Sequence, residues 1–338
     1  MKDITLLAVD LAKDVVQVAG FTDRRKVVFN QQVRRRHFAE FMARQPTCEV
    51  VMEACYTSHY WARVFMEMGH RVRLLPAQHV APFLWGNKSD RNDAISIGEA
   101  ADRPNIIEVP VKTTAQQDIQ SLHRIRDIRI RQRTQLMNQT RGLLAEYGAV
   151  CTVGKKAFIK LLGKLTDPGD DTVSELIKAE LRDTLIEYEL SCRRIKSIEE
   201  KLYQVAHQHP LCQLLMTIPG IGIINATAIY SAIGNGVQFK SAREFAVWLG
   251  LTPRQSGSGA RTTSGGITKR GNRYLRKQLV HGARSVLVTS RKKTDKVSLW
   301  ANVLVARRGY NKACVAMAAR LARLCWTLLR KNEVYRVM

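Results

Sequence analysis

Acidic residues are scarce in this chain, and that scarcity says more than any other absence. Asp and Glu number 29 against 54 Lys and Arg, a formal net charge of +25. From Leu251 to the end, twenty Lys and Arg face only Asp295 and Glu333. Solubility does not require such an excess. A polyanion explains it, because neutralising phosphates releases counterions and drives binding. Cysteine is sparse and unorganised: seven are scattered from Cys48 to Cys325 with no CxxC pair. Neither a zinc cluster nor a disulfide framework is indicated, and the thiols read as those of a reduced, cytoplasmic protein. No uncharged apolar run approaches the roughly 18 residues that a membrane helix needs. The first residues lead straight into a strand-like segment with no signal-peptide pattern.

The first hundred residues carry an α/β pattern. Apolar runs at Ile4–Val9, Val15–Phe21 and Val27–Phe29 predict an antiparallel meander, and Phe38–Ala43 predicts a short helix. Val50–Met52 and Val72–Leu75 read as buried strands, with helices over Tyr60–Met68 and Asp90–Ala101 and a loop over Pro82–Asn87. This order is that of an RNase H-like fold. From Thr113 to about Gly148 the chain reads as one long basic helix holding Arg124, Arg126, Arg129, Arg131 and Arg133, too many within ten residues to share one face. Pro168-Gly169 marks a turn. In the helix that follows, Leu181, Tyr188, Ile195 and Leu202 recur every seven residues, the seam of a coiled coil. The two helices predict either an intramolecular hairpin or a dimerisation arm.

Composition shifts again at His209-Pro210. The division expected is therefore 1–105 as an RNase H-like domain, 106–208 as a helical, coiled-coil arm, and 209–338 as a mainly α C-terminal domain. Ile218–Ile224 resembles a helix-hairpin-helix turn, in which Gly220 and Gly222 would expose backbone N–H groups to a DNA phosphate. Arg254–Asn272 is rich in Gly, Ser and Thr and reads as a loop, followed by helices over Tyr274–Val288 and Lys312–Leu329.

Four acids stand out against the basic background. Asp10 ends the first strand, Glu53 ends another, and Asp90 and Asp93 lie three apart at a helix start and so share a face. Carboxylates placed in this way can hold two Mg²⁺ ions about 3.5–4 Å apart for phosphoryl transfer. Each acid alone has a plainer role available, such as turn residue, helix cap or surface charge. A hydrolytic nuclease with the same four acids, or a non-catalytic nucleic-acid-binding protein, also fits this pattern.

The segments VDLAK (9–13), MEACYTS (52–58), NKSDRNDA (87–94), IPGIG (218–222), WLGLTPRQ (248–255) and SGGITKRGNRYLR (264–276) occur in the order found in the IS110 family of DEDD transposases, the last two being closest to its IS1111 subgroup. The chain resembles that family over nearly its whole length. Tyr56 stands where relatives often carry glycine. The resemblance implies a RuvC-like domain in which Asp10, Glu53, Asp90 and Asp93 bind Mg²⁺, a coiled-coil arm, and a C-terminal domain with a nucleophilic serine. That serine corresponds to Ser258, with Ser256 and Ser264 as neighbouring registers. It further implies DNA as substrate, a structured guide RNA as partner, action at the nucleoid as a homodimer or homotetramer, and a covalent phosphoserine–DNA intermediate. Arg254, Arg261, Lys269, Arg270 and Arg273, with Arg124 and Arg131 on the long helix, are the candidate nucleic-acid contacts.

Overall fold

The computed structural model describes residues 4–84, 86–87, 89–258 and 261–336, and the side chains of Ser258, Arg261 and Thr262 lie outside what is described. The chain divides into two compact units, Met1–Ala115 with Gly236–Glu244, and Gln116–Asn235 with Phe245–Met338.

The first unit is built on a five-stranded sheet. Its strands are β1 (Leu6–Leu11), β2 (Val15–Phe21), β3 (Val27–Arg34), β4 (Glu49–Glu53) and β5 (Arg71–Leu75), in the spatial order β3-β2-β1-β4-β5. The meander β1-β2-β3 is antiparallel, whereas β4 runs parallel to both β1 and β5. It is accompanied by the helices α1 (Phe38–Ala43), α2 (Ser58–Glu67), the short α3 (Ala77–Val80) and α4 (Asp90–Ala101). β3 runs five residues further than its apolar start suggests. Its polar second half is held by pairing with β2 rather than by burial.

Side-chain alternation gives the sheet two distinct faces. On one, Leu7, Val9, Val16, Val18, Val50 and Met52 pack against Phe38, Trp61 and Phe65 from α1 and α2. On the other, Leu6, Ala8, Ala19, Phe21 and Val51 meet Ala94, Ile97 and Ala101 of α4. Both faces are covered, as parallel pairing requires.

The second unit is mainly helical. It begins with α5 (Thr114–Ala145), α6 (Lys155–Leu165) and α7 (Glu175–Gln208). Arg126 reaches Glu199 at 2.6 Å and Arg133 reaches the Cys192 sulfur at 3.5 Å. Seven residues forward on α5 thus correspond to seven backward on α7, so the pair is an antiparallel hairpin within one chain. The heptad seam is used up there. Leu181 and Tyr188 pack with Met137, Leu144 and Phe158, and Ile198 and Leu202 with Ile119. α6, which the sequence reading does not anticipate, caps the hairpin by burying Phe158, Leu162 and Leu165.

Beyond these come α8 (Pro210–Met216), α9 (Ile223–Ile233), α10 (Ala242–Trp248), β6 (Pro253–Ser258), β7 (Arg261–Ile267), α11 (Arg273–Ser290), α12 (Lys296–Arg308) and α13 (Tyr310–Lys331). The segment expected to be a loop is therefore largely a β-hairpin. Its strands are held by backbone pairing and by hydroxyls: Ser256 Oγ lies 2.9 Å from Thr263 Oγ1, which also donates to the Ser256 carbonyl. α12 is likewise additional. Asp295 starts it by accepting from the N–H groups of Val297 and Ser298. Among the described residues, no helix is long and apolar enough to cross a membrane.

Candidate active site

Alternation along β1 decides where the first acid points. Leu6 and Ala8 face α4, so Asp10 does too, and α4 carries Asp90 and Asp93 in its first turn. Carboxylate oxygens of Asp10, Asp90 and Asp93 all lie within 4.8 Å of one another. Three hard oxygen donors converging from two elements fit a divalent cation, which favours carboxylate and water over nitrogen or sulfur.

Glu53 stands outside this tight set but beside it. The parallel register pairs Val9 with Met52, which puts Glu53 one strand over from Asp10, on the same face as Val51. The Cys55 thiol senses both acids. It is pushed up to about 11 by burial and then by the negative charges of Glu53 and Asp10, with Arg35 acting in the opposite sense.

Two supporting devices escape sequence reading. In the first, Gln17 lies opposite Asp10 on β2 and is buried. Its amide donates to Asn30 Oδ1 at 2.5 Å, and the Asn30 amide donates to the Arg91 carbonyl at 2.9 Å. Asp90 and Asp93 flank that carbonyl in sequence, so the relay ties the strand beside Asp10 to the first turn of α4. Ser89 fixes the same turn by accepting from the Asn92 N–H. In the second device, Arg35 donates to the Ala12 carbonyl and to Thr57 Oγ1, both at 2.8 Å. One guanidinium thereby joins the loops that follow Asp10 and Glu53. The only sequence signal for the relay is a glutamine between Val16 and Val18. The run Arg34-Arg35-Arg36 does not reveal which arginine turns inward.

In the second unit, Ser258 ends β6 opposite Arg261 in the hairpin, and Ser256 faces Thr263. The side chains of Ser258 and Arg261, both singled out by sequence, lie outside the described residues. The base of the hairpin is held by backbone and side-chain bonds. Lys269 N–H donates to the Gly250 carbonyl at 3.1 Å and Thr268 N–H to the Thr252 carbonyl at 2.9 Å. Arg276 donates to the carbonyls of Leu249 and Arg270. Gly271, at φ +74, sits so close to the preceding helix that a Cβ would lie 1.8 Å from the Trp248 carbonyl oxygen. Hence Gly250, Gly271 and Arg276 of the two motif segments serve one purpose, to clamp the two roots of the hairpin together. Arg254 is exposed on β6, and Lys269, Arg270 and Arg273 cluster at the clamp and the start of α11.

The glycine turn between α8 and α9 divides its two residues. Gly220, at φ +87, backs onto α11, where a Cβ would lie 2.8 Å from the Gly282 carbonyl oxygen. Gly222 is exposed, opens α9, and has open space where a side chain would be. On α5, Arg126 and Arg133 turn inward to α7, whereas Arg124 and Arg131 are exposed.

A mixed sheet of this order with carboxylates gathered at its α4 face defines an RNase H-like nucleic-acid enzyme of the DEDD type. The comparisons with known proteins go further. Residues 7–149 match a DEDD transposase domain of IS110 elements, and residues 212–297 match the transposase IS116/IS110/IS902 family. The chain is 41% identical to the transposase for insertion sequence element IS1111A of Coxiella burnetii, over 99% of this chain and 92% of that one. It is 41% identical to a probable family 20 transposase of Pseudomonas aeruginosa, over 99% of both, and 33% identical to the IS1328 transposase of Yersinia enterocolitica, again over 99% of both. The chain belongs to the IS110 family of transposases. It is an enzyme that acts on DNA by phosphoryl transfer.

Proposed function

We propose that this transposase cuts and rejoins DNA by a shared mechanism in which the acids of one subunit position the scissile phosphate for attack by Ser258 of another. The observation that carries this reading is the convergence of Asp10, Asp90 and Asp93 within 4.8 Å. Mg²⁺ is the ion proposed, with Glu53 completing the set from the neighbouring strand. Bound there, it supplies positive charge to a phosphate oxygen and to the developing charge on the oxygens in line.

The rest is done by side chains of this chain. Ser258 Oγ bonds to phosphorus, the bond from phosphorus to the departing strand breaks, the serine proton passes to solvent, and the departing oxygen takes up a proton. The phosphoserine link conserves the phosphodiester for rejoining. Arg254, Arg261, Lys269, Arg270 and Arg273 hold the flanking phosphates, and the exposed N–H groups at Gly222 hold another; Gly220 shapes that turn. Arg124 and Arg131 extend the contact along α5. We assign catalysis to 1–105, spacing to the 106–208 hairpin and the nucleophile to 209–338. The enzyme works as a homodimer or homotetramer in the bacterial cytoplasm, with a structured RNA selecting donor and target. The charge excess leaves room for an RNA beside the DNA and favours neither.

Covalent capture tests the reading. On incubation with a DNA fragment carrying the element's own ends, wild type and Ser256→Ala should give a protein–DNA adduct that survives denaturation. Ser258→Ala should give none. Cleavage by Ser258→Ala at the wild-type rate would make water the nucleophile and the protein a hydrolytic nuclease.

A further inference from the structure

Within the second unit, a cavity of about 340 Å³ opens between one face of α5, the small residues Ala228 and Ala232 of α9, and the start of α11. Its back wall is unusually well fixed. His123 is buried, with Nδ1 2.9 Å from the Tyr274 hydroxyl and Nε2 2.9 Å from Thr227 Oγ1. Thr227 already donates to the Ile223 carbonyl, so His123 donates to Thr227 from Nε2 and accepts from Tyr274 at Nδ1. The Tyr274 ring is thereby held at the cavity wall, and the Lys277 ammonium lies 5.2 Å from its centre. Ile128 forms an apolar part of the α5 face, half exposed and without a packing partner among the hydrophobic clusters described above.

The charge at the mouth is cationic. Arg124 and Arg131 flank the opening one on each side of Asp127. The one carboxylate is compensated, because Asp127 pairs with Lys277 and lies 3.5 Å from Arg131. The volume falls at the small end of ligand pockets and suits one flat heterocycle, not a duplex. Small floor, aromatic and aliphatic walls and a basic rim are the features by which proteins stack a single base while gripping its backbone.

We propose that this cavity receives one unstacked nucleotide of the nucleic-acid partner, its base against Ile128 and Tyr274 and its phosphates on Arg124 and Arg131. The inference rests on the reading of this unit as a nucleic-acid-binding one. Extracting a paired base costs a few kcal/mol. The occupant is therefore a nucleotide already free of its stack, at a bulge, loop or mismatch, in DNA or in RNA.

The test uses the full chain and three hairpin oligonucleotides, in DNA and RNA versions: fully paired, with a single bulged 2-aminopurine, and with the same bulge abasic. Wild type should bind the bulged form roughly tenfold tighter than the paired one, the scale of a single base–aromatic stack, with a change in 2-aminopurine fluorescence. The abasic bulge should lose that preference. Ile128→Ala, at an exposed position where folding is not at stake, should shrink the preference severalfold while leaving affinity for the paired hairpin unchanged. A preference in the DNA arm assigns the nucleotide to DNA, and one in the RNA arm to RNA. Equal affinity of wild type for paired and bulged forms in both arms would overturn the pocket while leaving nucleic-acid binding intact. So would an equal loss on both forms in Ile128→Ala, or a change of oligomer mass in that variant with no change in binding. Failure to bind any hairpin would instead refute the reading on which the pocket rests.

Discussion

Three carboxylates within 4.8 Å repel one another when no cation lies between them, and Asp93→Asn turns that into a measurement. At this spacing each pair costs about 1 kcal/mol even with water-like screening. Asp93→Asn leaves only one of the three pairs, which relieves about 2 kcal/mol. The variant loses part of this, because Asp93 lies in the first turn of α4, where a negative charge is worth about 0.5 kcal/mol. The net gain of about 1.5 kcal/mol should raise the Tm in EDTA by about 3–6 °C. Wild type should gain on adding 10 mM MgCl₂, by about 1.4 kcal/mol for an affinity near 1 mM, whereas the variant should gain almost nothing and lose DNA joining. The assay is thermal unfolding of both proteins in EDTA, in MgCl₂, and in NaCl at matched ionic strength. An Asp93→Asn protein less stable than wild type in EDTA would refute the argument. So would a wild-type gain that NaCl reproduces in full.

Three further outcomes follow from the same geometry. Asn30→Ala cuts the relay from Gln17 to the Arg91 carbonyl, so the Mg²⁺ concentration giving half-maximal thermal stabilisation should rise about tenfold, the lower end for loss of a partner behind the ligands, and apo stability should fall by about 1–3 kcal/mol because the buried Gln17 amide loses its acceptor; an unchanged Mg²⁺ response would remove the relay from the site. Gly271→Ala drives a methyl to 1.8 Å from the Trp248 carbonyl oxygen at φ +74, and should cost about 3 kcal/mol or more in chemical denaturation, with loss of the covalent adduct even where the protein folds. His123, pushed down to about 4 by burial and by the Arg126 charge, stays neutral in the fold while the unfolded chain takes up a proton below pH 6.5. Stability should therefore be intact above pH 6.5 and fall by about 3 kcal/mol as the pH drops to 4. Urea unfolding against pH should show this fall in wild type, and His123→Gln should lack it.

What the sequence makes legible here is whatever rests on periodicity. Val15–Phe21 and Asp90–Ala101 are found with the bounds that apolar spacing indicates, though the helix cap is Ser89 and not Asp90, and alternation along β1 suffices to aim Asp10 at α4. β6 and β7 are not legible in this way. Apart from Pro253, Gln255 and Ile267 their residues are Gly, Ser, Thr and Arg with no apolar face, and pairing is maintained by backbone bonds and cross-strand hydroxyls. Single-sequence patterning has no term for that. α12 carried a legible signal in Asp295, a helix cap ahead of Ser298, but lacks a broad apolar stripe, burying only Ser298 and Ala301.

The seam on α7 shows a different limit. Leu181, Tyr188, Ile195 and Leu202 form a correct heptad whose partner the pattern does not name, and the structure supplies α5, α6 and Ile119 from the same chain. The seam itself is thus covered within one chain. The basic residues of α5 divide for the same reason. Glu199 and Cys192 lie where Arg126 and Arg133 reach them, so those two cations are used in holding the hairpin. Arg124, by contrast, has no acid facing it in the pairs found among the described residues, and Arg131 has only the already shared Asp127. A helix that reads as uniformly basic is thus two-sided. The side that faces away from α7 is the one left to meet phosphate, and it borders the cavity at Tyr274.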